Sequence, residues 1–291
     1  MIPKNVNKVN RNNNRKGKRG KRKSVKSVEK YLIFGGVNPD GALSKITTIR
    51  KAIRETGSAV WTMQETKVSG PGKLKFDGYI TYEHTRNHQE GGGISLSALT
   101  EFNPAFVRDG GNDVEALTVN INLKQLVISC NTGYGPQENA TIAKKNAFWK
   151  YFDEECERAK KEGNGFILQG DLNSWLGPAI LPGDTKQQNQ NGKLFVNFVK
   201  SNKLTIVNTL SICKGMKTWT RMRQGVQLSS TIDFFVVCER VLPYLQEMII
   251  DTDNKYRITN FRNRNKITQA DHTPMTLKVN LKVKPEKPEK V

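Results

Sequence analysis

The sequence predicts an α/β (α+β) fold in which two packed β-sheets form a sandwich flanked by helices. Two observations carry this reading: many short apolar or alternating strand-like runs, and a few longer stretches with helical periodicity, two of them closed by glycine. The chain has 291 residues, enough for one large domain.

The first thirty residues are read as a separate basic arm. They are rich in Asn, Lys, Arg, Gly and Ser, show no apolar period, and are expected to be disordered. They hold twelve Lys and Arg against Glu29 alone, so eleven of the twenty excess positive charges sit there. Within the arm, the basic run Lys16–Lys23 suits a nuclear import signal and a phosphate-backbone contact equally well. Residues 31–283 are expected to form the ordered domain, and residues 284–291, with Pro285 and Pro288 among charges, a second disordered tail.

Along the domain, residues 31–37 read as a buried strand. Leu43, Ile46, Ile49 and Ile53 then recur at helical spacing, and Gly57 ends that helix. Residues 59–64 read as another buried strand, and 80–82 and 93–99 as a pair. Residues 117–123 and 126–131 flank Lys124-Gln125 as a hairpin. Ile142, Phe148, Trp149, Phe152, Cys156 and Ala159 share one face of a long helix that Gly163 terminates. Residues 166–169 form a short apolar strand leading into Asp171. A helix through Leu194, Phe195, Phe198 and Val199 precedes a strand at 204–208, and strands at 231–238 and 275–283 complete the set.

Composition narrows the function. A net charge of +20 favours a polyanionic partner, with nucleic acid, DNA or RNA, ahead of an anionic membrane. No apolar run approaches the eighteen residues that a membrane span needs, and the amino terminus has no apolar signal core. Cys130, Cys156, Cys213 and Cys238 lack CxxC spacing and read as buried free thiols in a reducing compartment, which speaks against a zinc site. The expected location is intracellular and nuclear.

Several polar residues sit where an apolar strand ends. Asn38 and Asp40 follow the first strand, in a Pro-Asp-Gly context that also suits an ordinary turn. Glu65 ends an apolar run, and a carboxylate there needs a partner; a divalent cation is one and Lys67 another. Asp171 and Asn173 follow Gly170 on one loop, where they can align water and contact a phosphate oxygen. Asp233 lies inside a strongly apolar strand, between Ile232 and Phe234, and demands a cation or imidazolium. His272 is one of three histidines and can supply it, while Asp271 adds another carboxylate.

In order, Asn38-x-Asp40-Gly41, Gln64-Glu65-Thr66, Tyr134 in Tyr-Gly-Pro, Gly170-Asp171-Leu172-Asn173, Ser230-x-Ile232-Asp233 and Asp271-His272 resemble the motif set of the endonuclease/exonuclease/phosphatase superfamily. That superfamily includes apurinic/apyrimidinic endonucleases and DNase I-like enzymes. Gly91-Gly92-Gly93, residues 133–137 and Thr218-Trp219 resemble most the endonuclease domains of non-LTR retrotransposons. The resemblance spans residues 32–277. It implies a DNase I-like sandwich with Mg²⁺ or Mn²⁺ at the sheet ends, held by Glu65 with help from Asp40 and Asp271. It further implies Asp171 as the residue that activates water, positioned with Asn173 and Asn38, and Tyr134 and His272 on the scissile phosphate, with Asp233 orienting His272. Ala270 and Cys238 depart from the family's usual Ser, and neither departure removes a charge or ligand.

The expected activity is metal-dependent nicking of DNA to leave a 3′ hydroxyl, in the manner of a retrotransposon endonuclease. An abasic-site repair endonuclease is the alternative enzyme. An inactive nucleic-acid-binding module on the same fold is the alternative outside enzymology.

Overall fold

The computed structural model describes residues 31–85, 92–123, 125–224, 226–260 and 269–281. The basic arm at 1–30 and the tail at 284–291 fall outside them. Strand β1 (Leu32–Val37) is followed by a 3₁₀ turn at Leu43–Lys45 and helix α1 (Ile46–Thr56). Gly57 closes α1 at φ 66°, donating to the carbonyls of Ile53 and Arg54, a left-handed cap that glycine adopts without strain. β2 (Val60–Met63) lies parallel to β1, and β3 (Tyr79–His84) and β4 (Ile94–Leu99) pair antiparallel beyond it.

The second half of the sandwich begins with β5 (Ala105–Asp109), β6 (Ala116–Leu123) and β7 (Leu126–Tyr134). Helix α2 (Ile142–Glu162) starts at Thr141, whose hydroxyl accepts from Lys144 N at 3.3 Å, and stops at Gly163. β8 (Gly165–Asp171) is buried throughout, and α3 (Gln190–Ser201) is capped by Asn189. Then come β9 (Leu204–Ile206), β10 (Cys213–Lys214), the hairpin β11 (Trp219–Arg223) and β12 (Val226–Ser230), β13 (Asp233–Cys238), β14 (Leu245–Ile250) and β15 (Met275–Val279).

These strands form a seven-stranded sheet in the order β10-β14-β15-β1-β2-β4-β3 and a six-stranded sheet in the order β5-β6-β7-β8-β13-β9. Phe34, Leu96 and Leu277 from one sheet meet Val119, Ile167 and Phe235 from the other in a shared apolar layer. On the outer faces, α2 and α3 cover the six-stranded sheet through Phe148, Phe152 and Phe195, and α1 covers the other through Ile49 and Ile53 against Trp61. The arrangement is the expected sandwich with helices outside.

Toward one end the layer between the sheets turns polar. Gln64 Nε2 donates to Thr132 Oγ1 at 2.8 Å and to Gln169 Oε1 at 3.2 Å. A Cβ on Gly36 would stand 2.3 Å from Thr62 Oγ1 and 2.6 Å from Gln169 Oε1, so only glycine lets the sheets approach there. This hydrogen-bonded layer lies directly beneath the strand ends that carry the polar motifs.

Several sequence-based boundaries are corrected. β15 ends at Val279 rather than 283, β9 gives way to a 3₁₀ turn at Val207–Thr209, and β13 begins at Asp233. Cys130 and Cys156 are buried, but Cys213 and Cys238 are partly exposed, because each stands at an edge or end of its strand. β5, β10, β14 and the β11–β12 hairpin were not legible: they are short or partly solvated, so their residues do not alternate cleanly.

Candidate active site

Pairing register builds the site. Tyr134 on β7, Asp171 on β8 and Asp233 on β13 are direct cross-strand partners, so three candidate site residues stand abreast at one sheet end. The parallel β1–β2 pair delivers Asn38 and Glu65 to the facing edge of the other sheet. The segment entering β15 is pinned to the hairpin, with Thr220 N donating to the Asp271 carbonyl at 2.7 Å and Thr273 N to that of Thr218 at 2.7 Å. The result is an open cleft of about 1140 Å³, with Asn38, Asp40, Glu65, Tyr134, Asp171, Asn173, Asp271 and His272 on its wall. Asp233 lies behind His272, 1% exposed.

Asn38 is fully buried and joins the two halves. Its Nδ2 donates to Glu65 Oε2 at 3.2 Å and to Asp171 Oδ2 at 3.0 Å, while its Oδ1 accepts from Asp40 N at 2.9 Å. Asp171 also accepts from Asn173 N at 3.1 Å. Burial pushes the Asp171 carboxyl up; nearby His272 pulls it down and Asp233 pushes it further up, leaving it above the ordinary carboxylate range. Asn173 Nδ2 donates to the Gly135 carbonyl at 2.8 Å, tying the Tyr134 loop to the Asp171 loop. Burial, together with Asp171 and Glu65, raises the Tyr134 phenol, so it stays protonated and can donate.

His272 Nδ1 lies 2.9 Å from Asp233 Oδ2, and its Nε2 is 3.6 Å from Asp171 Oδ2 and 3.9 Å from Asp271 Oδ1. Burial opposes the ring's charge, but Asp233 and Asp171 outweigh it and raise the imidazole well above its ordinary value. Thr218 Oγ1 supports the dyad from beneath, accepting from Ile232 N at 3.0 Å and Asp233 N at 3.1 Å. Trp219 Nε1 donates to Asp271 Oδ2 at 3.1 Å.

Lys67 and Lys45 gather at the other flank. Lys67 Nζ bonds Asp40 Oδ1 and stands 3.2 Å from Glu65 Oε1. Burial alone would raise the Asp40 carboxyl, yet the Lys67 ammonium holds it below the usual range. Buried Lys45 places Nζ 2.5 Å from the Asp40 carbonyl, and burial lowers its pKa. Asp40, Glu65, Lys67 and Asn173 all adopt positive φ, from 47° to 51°. That conformation is strained for Glu and Lys, and here the surrounding hydrogen bonds maintain it. In the sequence Lys67 stands out only as a neighbour able to pair with Glu65, Thr218 only through the Thr218-Trp219 resemblance, and Lys45 carries no signal beyond its side-chain chemistry.

Asp171, Asp233 and His272 bring ligand atoms within 4.8 Å of one another, a grouping able to hold a metal ion. The Asp233 carboxylate is, however, already taken by His272 Nδ1, and that of Asp171 accepts from Asn38 and Asn173. The carboxylates of Glu65 and Asp40 instead converge on an ammonium at the exposed edge, and hard oxygen donors around a cation suit a divalent ion in place of Lys67.

The fold is a DNase I-like α/β sandwich. No family model matches the sequence. The solved structure of the AP endonuclease LMAP from Leishmania major aligns with a TM-score of 0.68 at 13% identity, covering 86% of this chain and 88% of that one. The endonuclease domain of TRAS1, a telomere-specific non-LTR retrotransposon, aligns with a TM-score of 0.59 at 14% identity, covering 85% and 99%. Among curated proteins, craniofacial development protein 2 of Bos taurus is 22% identical over 241 residues, 79% of this chain; the chain spans 40% of that relative's length. No helix among the described residues is long and apolar enough to cross a membrane.

Proposed function

We propose that the chain is a metal-dependent phosphodiesterase that nicks DNA and leaves a 3′ hydroxyl, an endonuclease of the retrotransposon type. The observation that carries this reading is the bridge from Glu65 through Asn38 to Asp171, set against an imidazole backed by Asp233.

Each residue has work suited to its surroundings. Asp171, buried and raised in basicity, is the group to take a proton from an attacking water. Asn38 and the backbone N–H of Asn173 fix its carboxylate, so the water is met in one orientation. His272, charged through Asp233, donates from Nε2 to a non-bridging phosphate oxygen, and the Tyr134 phenol donates beside it. Glu65, with Asp40 and Asp271, would hold Mg²⁺ or Mn²⁺. Such a cation, when bound, neutralises charge that grows on the phosphate oxygens and on the leaving 3′ oxygen.

Incubation with supercoiled plasmid, abasic duplex and single-stranded RNA, each with Mg²⁺ or EDTA, tests the reading. Nicked plasmid bearing a primer-extendable 3′ end is expected only with Mg²⁺. Glu65→Gln, Asp171→Asn and His272→Ala are each expected to lower the rate by at least about a hundredfold while the fold persists. Cleavage confined to abasic duplex would assign the repair activity instead, and binding without cleavage of any substrate would make the chain a binding module.

A further inference from the structure

Beside the cleft runs a second groove of about 760 Å³, between the outer face of α1 and the loop that follows β14. Arg50, Lys51 and Arg54 line one wall and Lys255 and Arg257 the other, all five exposed. Among the described residues its lining contains no carboxylate; Glu55 meets Lys51 only at 3.9 Å, from outside the groove.

The loop wall is built rather than draped. The Asp251 carboxylate accepts from Lys255 N at 3.0 Å and Tyr256 N at 2.6 Å. Thr48 Oγ1, on α1, donates to the Thr259 carbonyl at 3.3 Å and stands 3.1 Å from Thr259 N. Thr259 bridges Gln269, and Ala270 N donates to the Ile258 carbonyl at 2.9 Å. The same segment then delivers Asp271 and His272, so groove and cleft share one piece of chain. Asn254 lines both, and Gln269 Nε2 donates to its Oδ1 at 3.0 Å.

We propose that this groove carries the phosphate backbone of duplex DNA flanking the scissile site. The inference rests on the nuclease reading above and deepens it. Five cations in a lining that holds no carboxylate among the described residues, with Lys51 paired to Glu55 at 3.9 Å, match a polyanion, and continuity with the cleft at Asn254 gives that polyanion a path outward. Groove contacts of this kind set register and affinity and read no base sequence.

The test is binding of a 30-base-pair duplex (a length of about three helical turns) by the full chain in EDTA across a salt series. Arg54→Gln/Lys255→Gln/Arg257→Gln is compared with Lys160→Gln/Lys161→Gln/Lys200→Gln, which removes the same charge from other exposed helical positions. The groove variant is expected to bind at least about tenfold more weakly, with the log–log salt slope shallower by about 2 to 3. The comparison variant should shift that slope by less than about 1, and Arg257→Gln alone should lower it by about 0.9. Equal behaviour of the two triple variants overturns the groove while leaving the nuclease reading intact. Failure of the unaltered chain to bind duplex overturns both.

Discussion

His272 and Asp233 form a buried ion pair, Nδ1 to Oδ2 at 2.9 Å, on elements thirty-nine residues apart in the chain. Asp233 starts a strand of the six-stranded sheet and His272 precedes a strand of the other, so the pair also clasps the two halves of the sandwich at the cleft. Because one ring nitrogen faces a carboxylate, the other is left as a donor toward the cleft.

The first prediction concerns that ring. Its pKa is raised from 6.5 to about 10 by Asp233 and Asp171 acting against burial. A raised folded-state value means that the stabilisation is fully present below about 6.5 and is lost as pH rises through about 10. In EDTA, NMR titration should therefore find the ring charged at pH 8, with its signals assigned through His272→Gln. Asp233→Asn should bring titration back toward the ordinary value. A ring in the unaltered chain that titrates near 6.5 rejects the ion pair.

Asn38→Ala is expected to act on stability as well as rate. The change leaves Glu65 and Asp171 facing each other without the amide that both accept from. Thermal unfolding in EDTA should show a loss of about 1–3 kcal/mol, and Mg²⁺ should restore part of it by neutralising the same carboxylates. An unfolding midpoint unchanged in EDTA would mean that the bridge contributes nothing to the fold.

Lys67 pairs with both Asp40 and Glu65, so under the proposed metal assignment its ammonium would compete with a divalent ion for them. Lys67→Met should tighten Mn²⁺ binding by about tenfold, or about 1.4 kcal/mol, as read by the signal of free Mn²⁺ in electron paramagnetic resonance. Weaker binding in the variant would show that the ammonium supports the metal site instead of occupying it.

Much of this architecture was legible because burial and chemistry wrote it into local pattern. Phe166–Leu168 and Phe234–Cys238 are continuous apolar runs, and the carboxylates shortly after the first, Asp171, and just before the second, Asp233, stand out against them. α2 was readable from one aromatic face between Thr141 and Gly163. The hairpin β11–β12 was not, since Arg221, Met222 and Gln227 face solvent and no alternation survives there. Lys67 shows a different limit. Its position two residues after Glu65 was visible, but its reach to Asp40 depends on positive φ at Glu65 and Lys67, which no local preference of those residues signals.

The last prediction links the helical layer to the chemistry. Trp149 stacks on Phe195 with ring centres 5.0 Å apart, and its Nε1 donates to Asn191 Oδ1 at 2.8 Å. Asn191 Nδ2 in turn donates to the Leu172 carbonyl at 2.7 Å, one residue beyond Asp171. Trp149→Ala should cost about 3–5 kcal/mol in urea unfolding, through the cavity and the orphaned amide. Asn191→Ala removes far less volume, so its effect should fall on geometry. It is expected to lower kcat for plasmid nicking by about tenfold to a hundredfold with KM nearly unchanged, because Asp171 stays in the cleft but loses its fixed orientation. A change confined to KM, or to stability alone, would separate Asn191 from the reaction and leave it a core residue.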